Sequence, residues 1–473
     1  MRILVFHGYL LGGTGSNVYN ARLAAALVGQ GHEVHLLCQD RASEQQPFVD
    51  AVGEWHEGRL RVRVLHEPVR CTAYRPDIGD LLPVYVMDRY EGIQAKPFAE
   101  CTPEEVDRYI AANVAAVREV VERVKPEVAL ANHLVMGPVI LARALGGEVP
   151  YAVKVHGSAL EYTVKPHPER FLGFAREGIG GAGAVLVGSR HTALSLWQAL
   201  GDPAVEERTR LGPPGVDVES FQPRDAREAA AGVRALAARL RASAARAPAS
   251  VSTSDGGDAF ARDDLTAGVA LERVEPDRDR LVVFVGKLIV NKGVDLLLAA
   301  WPLVLASEPA ARLVIVGFGP ERQRLEAVAD PVRERVLFTG RLDHEELVDL
   351  LPACEAIVVP SIFPEAFGMV AAEGAACGAL PVSAAHSGLA EVSETLARHV
   401  PSEAARWLSF PVDDAAVPAL AGCLIGWLGA DPELRSGTRA GLVAAVREHW
   451  SWEGVAQGVI AAAKGELDGL ARS

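Results

Sequence analysis

The sequence predicts an α/β protein made of two successive doubly wound domains, and three observations carry that prediction. Its 473 residues exceed what one ordinary domain holds. Short, nearly continuous apolar runs alternate with amphipathic stretches, the pattern of parallel strands covered by helices on both faces. That pattern occurs in two blocks, with a segment of different composition between them.

In the first block, apolar runs at 3–7, 33–38, 61–65, 127–131, 151–155 and 184–188 read as parallel strands, with helices at 103–124 and 189–200 among their connections. The second block is cleaner. Strands at 281–286, 313–317, 336–340, 356–361 and 380–384 are each a continuous apolar run. Residues 224–279 start rich in Ala and Arg, with helical character, then turn small and polar at 249–258. The expected organisation is therefore a first Rossmann-like domain at 1–223 and a linker or insertion at 224–279. A second domain follows at 280–449, then a terminal helix at 450–473. Open parallel sheets bind ligands beyond the carboxyl ends of their strands, so two such domains are expected to face a cleft.

Composition narrows the functional class. With 49% hydrophobic residues the chain can fill two cores, which excludes global disorder. Its 47 Lys and Arg against 61 Asp and Glu give a net charge of -14, which repels nucleic acid, so any phosphate binding has to be local. No run of about 18 apolar residues predicts a membrane span, and the short apolar start reads as a strand rather than a signal peptide. Cys38, Cys71, Cys101, Cys354, Cys377 and Cys423 form no CxxC pair and read as buried free thiols. Together these features predict a cytoplasmic protein.

The strongest chemical signal is Ser361-Ile362-Phe363-Pro364-Glu365-Ala366-Phe367-Gly368-Met369-Val370-Ala371-Ala372-Glu373. A buried strand runs into a loop holding Glu365, and a small-residue helix starts near Phe367 and Gly368. The free amides of Gly368, Met369 and Val370 then make an anion site suited to a diphosphate. Glu373, one turn further in, can accept hydrogen bonds from a ribose diol, and Glu365 can reach a sugar hydroxyl.

At the end of the second block's first strand stand Lys287 and Lys292, in Gly286-Lys287-Leu288-Ile289-Val290-Asn291-Lys292-Gly293. Two cations there can neutralise a diphosphate leaving group, or simply flank a helix start. In the first block, His156 and His133 each end an apolar strand. Either can bind a hydroxyl or serve the core. The loop Gly12-Gly13-Thr14-Gly15-Ser16-Asn17 precedes a helix and can hold an anion or a hydroxyl, with Gly13, Gly15 and Asn17 as its candidates. Asp40 lies where a dinucleotide's ribose partner would, but this loop and Val316-Gly317-Phe318-Gly319 are each only half of a G-x-G-x-x-G fingerprint. Neither is a P-loop. The sequence shows no closely spaced metal-ligand group and no G-x-S-x-G elbow, so neither metal nor cofactor is expected.

Taken together these motifs resemble the retaining GT-B glycosyltransferases of the family 4 type, which include mycothiol glycosyltransferases, phosphatidylinositol mannosyltransferases and sucrose-phosphate synthases. The resemblance extends over nearly the whole chain. It rests on the glycine loop, Gly31-His32-Glu33-Val34, His156, Pro214-Gly215-Val216-Asp217, residues 286–295, Val316 to Gly319, and the Glu365-x7-Glu373 pattern followed by Gly378, Pro381, Gly388 and Glu391. It implies a GT-B fold whose last helix, from Trp450-Ser451-Trp452 onward, crosses back to the first domain. It also implies that Glu373 binds the ribose, Lys287 and Lys292 the diphosphate, Glu365 and His156 the donor sugar, and Gly340 and Arg341 the base. The family commonly has Arg at the position of Lys287, so the bidentate fork is lost here while the charge is kept.

The implied activity is transfer of a hexose-type sugar from a nucleotide diphosphate sugar to a small hydroxyl-bearing acceptor. Attack on the face from which the nucleotide leaves needs no enzyme nucleophile and no metal. Candidates for the acceptor wall are Tyr85, Asp88, Arg89 and Tyr90 with Glu161, Tyr162 and His167. The donors UDP-, GDP- and ADP-sugar remain open, as do a sugar alcohol, a natural-product aglycone and a glycan as acceptor. A nucleotide-sugar epimerase and a non-catalytic nucleotide-sugar-binding protein of the same fold stay open as rival classes.

Overall fold

The computed structural model describes residues 1–13, 15–85, 94–246 and 262–473, which divide into two compact units. One comprises 1–215 with 452–473, and the other 216–451. Asp88, Arg89 and Tyr90, like the polar stretch 249–258, lie outside the described residues.

In the first unit the chain forms β1 (Arg2–Phe6), β2 (Glu33–Leu37), β3 (Ala51–His56), β4 (Arg59–Val64), β5 (Cys71–Arg75), β6 (Leu81–Val84), β7 (Gln94–Pro97), β8 (Val128–Asn132), β9 (Tyr151–Val155), β10 (Ala184–Val187) and β11 (Thr209–Leu211). Nine of these make a sheet in the order β11-β10-β9-β8-β1-β2-β5-β3-β4, while β6 and β7 pair separately. All its neighbours are parallel except β3 and β4, which run antiparallel with Glu54 opposite Arg61. The stretch expected as a parallel strand at 61–65 is thus an antiparallel edge. Its alternation of Arg59, Arg61 and Arg63 with Leu60, Val62 and Val64 explains this, since charges on one face protect an edge and cannot be buried inside a sheet.

Helix 103–124 begins as capping chemistry requires. Thr102 accepts from the Glu105 amide, and the Glu105 carboxylate accepts from the Thr102 amide. The terminal helix Trp452–Lys464 belongs to the first unit, where it packs on the helix Gly15–Gly29 and on β8, β9 and β10. Gly215 lets Trp452 lie against the chain, because a Cβ there would sit 2.5 Å from the indole. The expected return of the C-terminus to the first domain is present.

The second unit holds β12 (Arg280–Val285), β13 (Ala311–Val316), β14 (Val336–Gly340), β15 (Cys354–Val359), β16 (Leu380–Ala384) and β17 (Ser409–Phe410). These run parallel in the order β14-β13-β12-β15-β16-β17. Strand order therefore reverses between β12 and β15, as it does in the first unit between β1 and β8. Helices Ala226–Arg246 and Asp264–Glu272 fall inside the segment expected as a linker. Instead of tethering, they join the core through Val233, Leu236, Leu240, Ala267 and Leu271 and cover the edge at β14. Among the described residues no helix is long and apolar enough to cross a membrane, and all six cysteines are buried and unpaired.

Leu236 is fully buried in this core. Leu236→Ala should therefore lower stability by about 2–5 kcal/mol, the cost of lost burial plus a cavity. Urea unfolding checks this; a cost below about 0.5 kcal/mol would show that the helix pair is peripheral.

Candidate functional site

In the second unit the loops leaving β12 and β15 diverge at the point where strand order reverses, and both carry predicted site residues. They are stitched together by their backbones. The Ile362 amide donates to the Asn291 carbonyl at 2.9 Å. Gly293, at φ +62, makes this approach possible, because a Cβ there would stand 2.0 Å from the Pro360 carbonyl oxygen. With the loops so joined, the Lys292 ammonium donates to the Glu365 carboxylate. The Ser361 hydroxyl donates to the same oxygen at 2.8 Å, with the Asn291 carbonyl 3.0 Å away as its alternative acceptor.

A third segment, leaving β16, holds the backbone of Glu365. The Glu365 amide donates to Ser387 Oγ at 2.9 Å, and its carbonyl accepts from the Gly388 amide at 2.9 Å. His386 sets the direction of this chain. Its Nε2 lies 2.7 Å from the Ser361 carbonyl, which only accepts, so Nε2 carries the proton. Nδ1 is then left to accept from the Ser387 hydroxyl at 3.0 Å. A Cβ at Gly388 would meet the Ala366 carbonyl group at 2.6 Å.

The helix Met369–Ala376 starts at Gly368, whose φ of +104 turns the chain sharply out of the Glu365 loop. Its first turn has no side-chain cap, so the amides of Met369 and Val370 keep their donor capacity for an anion. Phe367 is buried beneath, with its ring 5.2 Å from Trp450. Glu373, one turn in, is buried, with one carboxylate oxygen 3.8 Å from His344 Nε2.

Gly340 ends β14 at φ +76. Arg341 pairs with Asp343 at 3.2 Å and lies 5.9 Å over the Phe318 ring. Lys287 is half-buried on the chain leaving β12. The glycines of Val316-Gly317-Phe318-Gly319 serve packing rather than phosphate: a Cβ at Gly317 or Gly319 would lie 1.9 Å from the Gly286 carbonyl oxygen or 2.3 Å from that of Leu288.

In the first unit His7 follows β1, His133 follows β8 and His156 follows β9, so three imidazoles gather around the reversal of strand order. His133 lies 4.9 Å from His156 and 5.8 Å from His7 by ring centroids. Their tautomers can be read from neighbouring amides. Asn132 donates its Nδ2 to the Phe6 carbonyl at 3.2 Å, so its Oδ1 must accept from His156 Nε2 at 2.8 Å, leaving His156 Nδ1 as an acceptor. His7 Nε2 faces the Leu10 carbonyl and Asn17 Oδ1, each at 3.0 Å, while its Nδ1 accepts from Asn20 at 3.0 Å. His133 sits in left-handed backbone at φ 69, with neither ring nitrogen hydrogen-bonded.

Burial keeps all three neutral. It pushes His7 down to about 4, outweighing its bonds to Asn17 and Leu10. Burial also pushes His133 and His156 well below the histidine range, and a proton on one of these clustered imidazoles, or on Lys154 beside His156, would disfavour protonation of its neighbour further.

Other sequence candidates take different roles here. Asn17 is buried and spends its amide on His7 and the Gly12 carbonyl, so it braces the loop. Gly13, at φ +91, and Gly15 face open space. Glu161 is committed to Lys165 at 2.7 Å and Ser195 at 2.5 Å, while Tyr162 is exposed. Tyr85 donates to the Val135 carbonyl and its ring lies tilted against that of His133, 4.5 Å between centroids. His167 precedes helix Pro168–Gly180 and lies 6.5 Å from Phe171. His7, His386 and Ser387 were missed by sequence reasoning, although each follows an apolar strand as His156 does.

Comparison with known proteins bears on the family and the fold. Residues 14–215 match the family described as glycosyl transferase 4-like domain, and residues 272–403 that described as glycosyl transferases group 1. The chain belongs to the GT-B glycosyltransferases of the family 4 type. It is 27% identical over 394 residues to a D-inositol 3-phosphate glycosyltransferase of Xylanimonas cellulosilytica, covering 80% of this chain and 77% of that one. It is 34% identical over 173 residues to a GDP-mannose-dependent monoacylated alpha-(1-6)-phosphatidylinositol monomannoside mannosyltransferase of Corynebacterium glutamicum. That match spans 35% of this chain and only 42% of the relative. The sucrose-phosphate synthase of Thermosynechococcus elongatus shares the fold, with a TM-score of 0.60 at 20% identity over 97% of this chain and 96% of that one.

Within this glycosyltransferase fold the neutral imidazoles set a pH dependence. An unfolded chain binds protons at these positions below about pH 6.5, whereas the folded first unit binds them only well below that, near 4 for His7. Stability is thus fully present above pH 6.5 and lost as pH falls through this window, by up to about 1.4 kcal/mol per pH unit for each imidazole. His133→Asn, a residue that tolerates left-handed backbone, should flatten the urea-unfolding slope between pH 6.5 and 5 by about one imidazole's share. An unchanged slope would count against a neutral His133.

Proposed function

We propose that this protein transfers a hexose-type sugar from a nucleoside diphosphate sugar to a small hydroxyl-bearing acceptor, with retention at the anomeric carbon. The observation that carries this reading is the placement of Lys292, Glu365 and the uncapped first turn of helix Met369–Ala376 around one reversal of strand order. A diphosphate meets two lysines and a helix N-terminus there, Glu373 accepts from the ribose, and Gly340 with Arg341 meets the base. The donor named for the Corynebacterium relative, GDP-mannose, and the inositol phosphate named for the Xylanimonas relative are of the proposed chemical classes.

Without donor, Lys292 is neutralised by Glu365. A diphosphate offers the ammonium a more highly charged partner, and Lys292 turns toward it. Glu365 stays in place because Ser387 and Gly388 hold its backbone, and its carboxylate is released to accept from a sugar hydroxyl. As the glycosidic bond breaks, its electron pair passes to the β-phosphate oxygen, where the lysines stabilise the growing charge. The acceptor oxygen attacks from that same face and gives its proton to the leaving phosphate. His156, with Nδ1 free to accept, suits a hydroxyl contact.

Glu373 binds the ribose equally in the ground and transition states, so Glu373→Ala should mainly raise the donor KM. Lys292→Met removes charge where it grows and should cut kcat by on the order of 10²-fold. The assay follows nucleoside diphosphate release from UDP-, GDP- and ADP-sugars across a panel of acceptors. The opposite pattern in stably folded variants would overturn these roles, and sugar conversion without an acceptor would replace transfer with epimerisation.

Since the lysines supply the charge compensation, dialysis against EDTA should change turnover by less than roughly twofold. Activity lost to EDTA and restored by magnesium would contradict this.

A further inference from the structure

We propose that His399, Glu448 and His449 form a binding site for a divalent transition metal of the Zn²⁺ class in the second unit. Nothing in the proposed sugar transfer uses these residues. Glu448 and His449 are adjacent in sequence while His399 lies about fifty residues earlier, so only the fold brings His399, just past helix Ser387–Ala397, against the last turn of helix Pro432–His449. One ligand atom from each lies within 4.8 Å of the others. His399 Nε2 is 3.4 Å from one Glu448 oxygen, and His449 Nε2 is 3.6 Å from the other. Ligands at Zn–N and Zn–O distances of about 2.0–2.1 Å in a tetrahedron stand about 3.4 Å apart, so small side-chain adjustments suffice.

Two further observations point to a metal rather than to a chance cluster. His399 Nδ1 lies 3.1 Å from the Thr395 carbonyl, to which it donates. This places the proton on Nδ1 and leaves the Nε2 lone pair facing Glu448, the arrangement by which outer hydrogen bonds prepare an imidazole for a metal. The backbone is also fixed. A Cβ at Gly441 would lie 2.1 Å from the His399 carbonyl oxygen, so the helix bearing Glu448 and His449 is in direct contact with the turn bearing His399. Glu448 and His449 are exposed, which gives an ion an entry path and leaves a fourth position for water.

Two imidazoles and a carboxylate suit zinc among the available divalent ions. The site stands at the far end of helix Ser387–Ala397 from Ser387, about 16 Å away by helix rise. Bound metal would clip two helix ends together just before Trp450, stabilising the unit without entering sugar chemistry.

The test uses full-length protein with no affinity tag, dialysed against a chelator and then titrated with ZnCl₂ by calorimetry and with CoCl₂ by visible absorption. The expected result is one equivalent bound, a Tm that rises with zinc, and affinity reduced about tenfold or more in His399→Ala and in His449→Ala. Both variants lie at the surface, and a metal-free Tm equal to wild type shows that they fold. Absence of binding, or equal binding by the double variant His399→Ala/His449→Ala, would overturn the site. The cluster would then be only a carboxylate paired with two imidazoles at a helix end.

Discussion

Glu365 is held, carboxylate and backbone together, by three separate stretches of chain, and the local sequence of each is shaped around that hold. The loop after β12 supplies Lys292 and can come close only because Gly293 has no side chain. The chain after β15 supplies Ser361 and Glu365 itself, and the chain after β16 supplies Ser387 and Gly388 for its backbone. The energy of the ion pair is not the reason for this construction. With side chains 30% and 24% exposed, the Lys292–Glu365 pair contributes at most about 1 kcal/mol net. Its value is positional: the carboxylate is already in place when a phosphate draws the lysine away, so little reorganisation remains for the reacting complex.

The first unit uses a different device at its own reversal of strand order. Three imidazoles are stripped of solvent and left neutral, two of them oriented by asparagine amides. Holding His133 in left-handed backbone costs about 1–3 kcal/mol, and leaving its nitrogens unpaired adds to that. Costs of this kind concentrate where a protein needs polar groups without partners. Charged imidazoles would instead attract phosphates, while neutral ones accept and donate to hydroxyls.

Much of this was legible in the sequence because buried parallel strands are written as apolar runs and their ends as glycine and polar residues. β14 and β16 coincide with the expected runs at 336–340 and 380–384, and Glu365, Glu373 and Lys292 were singled out from their places relative to strand ends. What escaped depended on contacts between distant segments. β4 carries apolar residues like an inner strand, and only its alternating arginines mark it as an edge. The helix Ala226–Arg246 reads as a helical part of a linker or insertion and not as core, because its buried face consists of Ala, Val and Leu at helical spacing within an Ala-Arg background. Gly317 and Gly319 look like half a nucleotide fingerprint, yet their reason is the backbone carbonyls of Gly286 and Leu288, on the chain leaving the preceding strand and adjacent in space. His7 and His386 follow strands as His156 does, but only the fold shows which amide or carbonyl each one meets.

The claim at the centre of this account is that the second unit's strand reversal binds a nucleoside diphosphate through Glu373 and the first turn of its helix. Equilibrium titration of UDP, GDP and ADP into wild-type, Glu373→Ala and His156→Ala proteins tests it without any acceptor. The account predicts that at least one diphosphate binds wild type, that Glu373→Ala weakens it about tenfold or more, the share of one lost charged hydrogen bond, and that His156→Ala leaves it unchanged. Equal binding by wild type and Glu373→Ala, or no binding of any of the three, would contradict it.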